Sequence, residues 1–244
     1  MKKALLVVSF GTSYSDADRD CIRPVEAALA AAFPDHECRR AFTSRIIARK
    51  LRSQGTAIES EVEAIQRLRN DGFEDIRVAP THIIHGEEYE MVVDAAGGLP
   101  TSEPLLENES DLDWMAALLG EIAREEGRAL LMMGHGTEHA ADETYAQLRA
   151  KLPDGVFLAC VEGSHALDGI LPQLEALPEK KLTLMPLMLV AGDHAHNDLA
   201  GDDEDSWKSI LEAKGFDIRV RMQGLGALKA VQQRFVEKAR KRFA

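Results

Sequence analysis

LTLMPLMLVAGDHAHNDLAGDDEDSW, residues 182–207, is the stretch whose reading decides the fold. Its first nine residues, 182–190, carry no charge and show no polar face. A short run of this kind reads as a strand buried on both sides, as in a parallel sheet. The run stops at Ala191-Gly192, and Asp193, His194, His196, Asn197 and Asp198 follow at once. In open parallel sheets ligands sit beyond the carboxyl ends of the strands. A cluster of histidines and carboxylates placed there marks a candidate site; the alternative is a solvated turn with charged residues, since loops are usually polar.

The rest of the chain fits that frame. Strand-like and helix-like segments alternate along 244 residues, which predicts an α/β fold with parallel sheets. The spacing predicts strands over 4–8, 37–42, 76–84, 130–133, 156–161, 182–190 and 218–221. It predicts helices over 16–33, 44–54, 58–71, 87–96, 111–126, 141–152, 165–176, 204–214 and 228–243. Pro24 is expected to disturb the first helix. The acidic run Asp202-Asp203-Glu204-Asp205 reads as a helix start favoured by the helix dipole.

Composition narrows the function classes. Hydrophobic residues make up 45% and charged residues 29%, ordinary values for a globular chain. No apolar stretch approaches the ~18 residues of a transmembrane helix. The opening MKKALLVVSF reads as a first strand rather than a signal peptide, since no small-residue cleavage site follows it. Cys21, Cys38 and Cys160 are scattered, odd in number and form no CxxC, which fits a reducing cytoplasm. A net charge of −12 disfavours nucleic acid as a partner. The chain has no Walker A sequence and no GxSxG, and Gly224-Leu225-Gly226 lacks the third glycine of a dinucleotide fingerprint. Chemistry without ATP or nicotinamide is expected.

The sequence restarts midway. ALLVVSFGT from Ala4 matches ALLMMGHGT from Ala129, and PTHIIHGEE from Pro80 matches PLMLVAGDH from Pro186. Two matches in the same order predict two similar α/β halves, 1–125 and 126–244. In that frame Phe10 corresponds to His135 and Glu88 to His194.

His135 stands between two glycines directly after a strand, where a backbone can approach a ligand closely. His194 and Glu162 follow two further strands. Two histidines and one glutamate make an N/N/O donor set for a borderline divalent metal. Glu88 could take or relay protons. Arg45, Arg49 and Arg52 share one helix face by their spacing; a solvated basic face is the common reading, and on so acidic a chain it is also a natural receiver for substrate carboxylates. His139, His165 and His196 are expected at the surface or rim.

These segments carry a specific resemblance. KKALLVVSFGTSY, AFTSRIIARKL, HIIHGEEYE, MGHGTEH and LMPLMLVAGDHAHNDLAGDDEDSWK resemble the anaerobic cobalt chelatases of the CbiK family, class II chelatases, over nearly the whole chain. The resemblance implies two pseudo-symmetric flavodoxin-like halves, each a parallel sheet flanked by helices, with the active-site cleft between them. It implies a cytoplasmic, ATP-independent insertion of Co²⁺ into sirohydrochlorin during anaerobic cobalamin synthesis. It ties His135, Glu162 and His194 to the metal, and His135, His194 and Glu88 to proton handling. The tetrapyrrole is expected near Ser9, Phe10, Thr12 and Arg45. His85 and His196 depart from the family's pattern, and residues 97–111 match it poorly. Fe²⁺ or Ni²⁺ as the metal, a sirohydrochlorin or porphyrin ferrochelatase activity, a non-catalytic tetrapyrrole or metal carrier and a homo-oligomeric state are the alternatives that the residues leave open.

Overall fold

The computed structural model describes residues Met1–Ala244. In chain order the elements are β1 (Lys2–Ser9), α1 (Ser15–Ala17), a π-helical turn (Asp18–Ile22), α2 (Arg23–Ala32), β2 (Glu37–Phe42), α3 (Arg45–Ser53), α4 (Glu61–Asn70), β3 (Phe73–Pro80), α5 (Glu87–Ala96) and α6 (Glu109–Glu126). Then come β4 (Ala129–Gly134), α7 (Glu143–Lys151), β5 (Val156–Cys160), α8 (Leu171–Glu175), β6 (Lys181–Pro186), a second π segment (Ala195–Leu199), α9 (Trp207–Ala213), β7 (Asp217–Val220) and α10 (Lys229–Phe243).

The strands form two parallel sheets, β2-β1-β3 and β5-β4-β6-β7. In each, the first strand of the half lies centrally, flanked by the second and third. The register repeats as well. Val8 pairs with Pro80, and the aligned Met133 pairs with Pro186. Each sheet has an apolar core of its own, one around Leu6, Val78 and Ile65, the other around Leu131, Leu184 and Trp207.

The chain does not divide into two continuous halves. One compact unit is Met1–Glu107 with Gly226–Ala244, and the other is Asn108–Leu225. The expected boundary after residue 125 is therefore displaced. The reason is helix packing: α6 covers β4 and β5, and α10 packs on α2 and β3. Arg77 donates to the Phe243 carbonyl (3.1 Å) and caps that arrangement.

Local signals explain most element boundaries. Ser60 and Asn108 open α4 and α6 with capping boxes to Glu63 and Asp111. Gly97 and Gly127 close α5 and α6 in the left-handed conformation. Pro24 sits in the first turn of α2, directly after the π-helical turn. Four expectations differ from the structure. The strand expected over 182–190 ends at Pro186, because β4 ends at Gly134 and offers no partner further on. The strand expected over 76–84 likewise ends at Pro80. The helix expected over 165–176 shrinks to a 3-10 turn, Leu167–Gly169, and α8, because the His165 carbonyl accepts from Cys160 N (2.7 Å) instead of opening a helix. The acidic run 202–205 lies before α9, whose cap is Ser206. Of residues 97–111 the last three open α6, and the stretch before them runs irregularly beside β3: Ser102 N donates to the Val78 carbonyl (3.0 Å), as Arg221 N donates to that of Leu184 (2.8 Å). No helix is long and apolar enough to cross a membrane. All three cysteines are free.

Candidate active site

In the unit built on β4, three strand ends carry the site. His135 directly follows β4, Glu162 lies two residues beyond β5, and His194 opens the π segment beyond β6. Hydrogen bonding continues one step past the strands: Val161 N donates to the Gly134 carbonyl (3.1 Å) and Glu162 N to that of His135 (2.8 Å). The backbones of His135 and Glu162 are thus locked to each other. Gly136 makes this possible. Its φ is 78°, and a Cβ there would overlap the Glu162 carbonyl.

The two imidazoles stand edge to face, with centroids 4.8 Å apart and planes at 89°. Each ring is tied through Nδ1. His135 Nδ1 donates to the Gly136 carbonyl (3.0 Å), and His194 Nδ1 donates to Asp198 Oδ2 (2.7 Å). A carbonyl and a carboxylate only accept, so Nδ1 carries a proton in both rings and Nε2 is the nitrogen left open in the neutral tautomer. Metal-ligating histidines are oriented by this kind of partner. Glu162 Oε2 lies 3.9 Å from His135 Nδ1, the nitrogen already committed. No three donors converge at bonding distance on one point. The half-exposed Glu162 side chain therefore has to turn to join the two nitrogens. The three side chains do not form a closed cage. Cys160 is packed beneath Gly134, and burial pushes its thiol up to about 12.

Asp142, which carries no signal in the sequence, lies between the loops after β4 and β5. Its Oδ2 accepts from Ser164 Oγ (2.6 Å) and Ser164 N (3.1 Å), its Oδ1 from Thr137 N (3.4 Å), and His165 Nε2 lies 3.6 Å away. Burial opposes its ionisation, but the hydrogen bonds from Ser164 outweigh this and hold it below the usual carboxylate range. His165 is consequently no rim residue. Its side chain is 15% exposed and receives Arg149 NH1 on Nδ1 (3.1 Å). His139 caps the turn after it by accepting from Ala141 N (3.1 Å) on Nδ1, and His196 is exposed.

The remaining expected site residues belong to the unit built on β1. Phe10, at the position matching His135, is exposed, and its carbonyl accepts from Ser44 N (3.2 Å), as the His135 carbonyl accepts from Glu162 N. Ser9 is buried and accepts from Thr81 Oγ1 (2.8 Å). Thr12 is buried and accepts from Tyr14 N (3.1 Å). Both are held by intramolecular bonds. Arg45 donates to Glu61 (2.7 Å), so one guanidinium of the expected carboxylate receiver is partly engaged. Arg49 and Arg52 are exposed, on a helix that buries no residue. Glu88 lies in the first turn of α5, its Oε2 buried without a hydrogen-bond partner. His85 Nδ1 donates to Glu107 Oε2 (3.0 Å) and its ring meets Tyr89 edge-on at 4.5 Å.

Known proteins resemble the chain over nearly its whole length. Residues 3–243 match the model of a family described as Cobalt chelatase (CbiK). The chain is 39% identical to the sirohydrochlorin cobaltochelatase of Salmonella typhimurium, over 97% of this chain and 94% of that protein. It is 34% identical to sirohydrochlorin cobaltochelatase CbiKC of Nitratidesulfovibrio vulgaris, over 88% of this chain and 81% of that protein. Among solved structures, SirB from Bacillus subtilis with Fe³⁺ shares the fold with a TM-score of 0.68 at 14% identity, covering 100% of this chain and 96% of that one. A parallel-sheet unit with paired histidines at adjacent strand ends, read together with these matches over nearly the full length, places the chain in the CbiK family of cobalt chelatases.

Proposed function

We propose that this protein is a cytoplasmic sirohydrochlorin cobaltochelatase that inserts Co²⁺ into the macrocycle without ATP, in the anaerobic assembly of cobalamin. The observation that carries the reading is the His135–His194 pair, with each Nδ1 bonded away and each Nε2 lone pair left for a metal. Both rings sit at the carboxyl edge of a parallel sheet, where such folds bind ligands.

Insertion exchanges one divalent ion for two pyrrole N–H protons. The incoming ion must be held firmly enough to shed water and loosely enough to leave. Two neutral imidazoles and one carboxylate supply a donor set of that kind, and Glu162 completes it by turning toward the histidines. As the ring nitrogens take the metal, the released His194 Nε2 becomes free to accept one proton. Glu88 accepts the other; its unpartnered carboxylate oxygen supports that role. The exposed Arg49 and Arg52 receive carboxylates of the substrate. Local cations are needed because a net charge of −12 repels a polycarboxylate at long range.

The direct test is to incubate the protein with sirohydrochlorin and Co²⁺, Fe²⁺ or Ni²⁺ in turn, without ATP, and to follow the absorbance of the macrocycle. Multiple turnovers fastest with Co²⁺ support the reading. Faster insertion of Fe²⁺ makes the protein a ferrochelatase. Stoichiometric binding with no metallated product makes it a carrier.

A further inference from the structure

We propose that Asp142 is a positioning residue for the metal site: its carboxylate braces the two loops that carry His135 and Glu162 and fixes the spacing of those side chains. This inference rests on the metal-insertion reading above. Asp142 draws the loop after β4 to the loop after β5 through Thr137 N on one oxygen and Ser164 N and Oγ on the other. The loops are drawn in tightly. A Cβ on Gly163 would lie 2.6 Å from Asp142 Oδ1 and 2.7 Å from the Thr137 carbonyl oxygen. Behind the carboxylate, His165 and then Arg149 continue the brace.

The repeat shows that the fold does not need this acid. The unit on β1 builds the same turn, with Thr12 Oγ1 accepting from Tyr14 N (3.1 Å) where Thr137 Oγ1 accepts from His139 N (3.0 Å). It also joins the turn to the next strand, Ser44 N to the Phe10 carbonyl (3.2 Å). At the position matching Asp142 it has a buried alanine, Ala17. Phe10 and Ser44 replace His135 and Glu162 there. The carboxylate therefore occurs only in the half that carries metal donors, which is where a brace against loop movement has a use. An ionised carboxylate suits it because three hydrogen-bond donors and one imidazole converge on two oxygens.

The test is calorimetric titration of Co²⁺ into the tetrapyrrole-free protein, comparing wild type with Asp142→Asn, Ser164→Ala, His135→Ala and His194→Ala. Losing a supporting residue of a metal site typically costs about 10–100-fold in affinity. Asp142→Asn is expected to weaken Co²⁺ binding by that factor, and Ser164→Ala by less in the same direction, with sirohydrochlorin affinity unchanged. In turnover the defect should fall on KM for cobalt. If the two histidine variants lose Co²⁺ while Asp142→Asn and Ser164→Ala titrate like wild type, the inference is overturned and the metal site stands. If the histidine variants bind Co²⁺ normally, the metal site itself is wrong and the inference goes with it. Ser164→Ala removes only a hydroxyl, so it decides the matter should Asp142→Asn not fold.

Discussion

His194 Nδ1 and Asp198 Oδ2 lie 2.7 Å apart, one turn from each other on the π segment after β6. This bond sets the tautomer that leaves Nε2 of His194 open. The two residues should therefore differ in how much they matter. His194→Gln removes the proposed ligand and proton acceptor, and insertion of cobalt should fall by about 10²–10⁴. Sirohydrochlorin binding, measured by quenching or absorbance, should survive. A near-normal rate would exclude His194 from the chemistry.

Asp198→Asn should be milder. The ring keeps its place but loses the acceptor that holds its tautomer. A roughly 10–100-fold loss in apparent cobalt affinity is expected, with kcat at saturating metal little changed. Equal damage from Asp198→Asn and His194→Gln would mean that the carboxylate itself meets the substrate.

The basic helix separates into two roles. Glu61 is buried, with Oε2 unpartnered, and Arg45 is its ion-pair partner. Arg45→Ala should therefore cost stability, about 1–3 kcal/mol, by leaving that carboxylate unpaired. The double change of Arg49 and Arg52 to alanine should leave the melting temperature alone and raise KM for sirohydrochlorin, the signature of lost uniform binding. An unchanged KM would reduce this face to a solvated one.

Gly136 and Gly155 make a matched pair, with φ of 78° and 80°. Gly155 has open space around its Cβ position, whereas Gly136 abuts Glu162. Alanine at 155 should cost only the left-handed backbone penalty, about 1–2 kcal/mol. Alanine at 136 should cost more in thermal unfolding and also weaken Co²⁺ binding, because His135 and Glu162 would be pushed apart.

His82 gives stability a pH dependence. It is buried with neither ring nitrogen hydrogen-bonded, and burial lowers its pKa to about 4. As pH falls from about 6.5 toward 4, the unfolded chain takes a proton there that the native state refuses. Stability from this residue is thus present at neutral pH and lost on acidification, by up to about 3 kcal/mol at ~1.4 kcal/mol per pH unit. His36, also lowered chiefly by burial, acts in the same direction. The depressed carboxylates Asp75 and Asp142 lose their contribution only at lower pH. The repeat supplies the test, because Met188 stands where His82 does. Denaturant unfolding of His82→Met at pH 7 and 5 should show a smaller difference than wild type. An equal difference would sink the assignment.

The sequence by itself determined the parallel α/β class, the repeat and the placement of His135, Glu162 and His194 after successive strands. Alternation of apolar strands with amphipathic helices is a local pattern, and residues that follow strands are found by counting. The match of Val8 with Met133 and of Pro80 with Pro186 even carried the register, since side chains on paired strands must keep their faces. Only the tertiary structure decided that α6 and α10 each pack on the sheet of the other half, because either helix has an apolar face that would fit a sheet of either half. Only it showed that the 182–190 run leaves the sheet at Pro186, where the neighbouring strand ends. And only it brought Asp142, in the middle of an unremarkable TEHAADET, between two loops more than twenty positions apart. Hydrogen bonds between distant loops leave no periodicity in a sequence, so a brace of this kind becomes visible once the chain is folded.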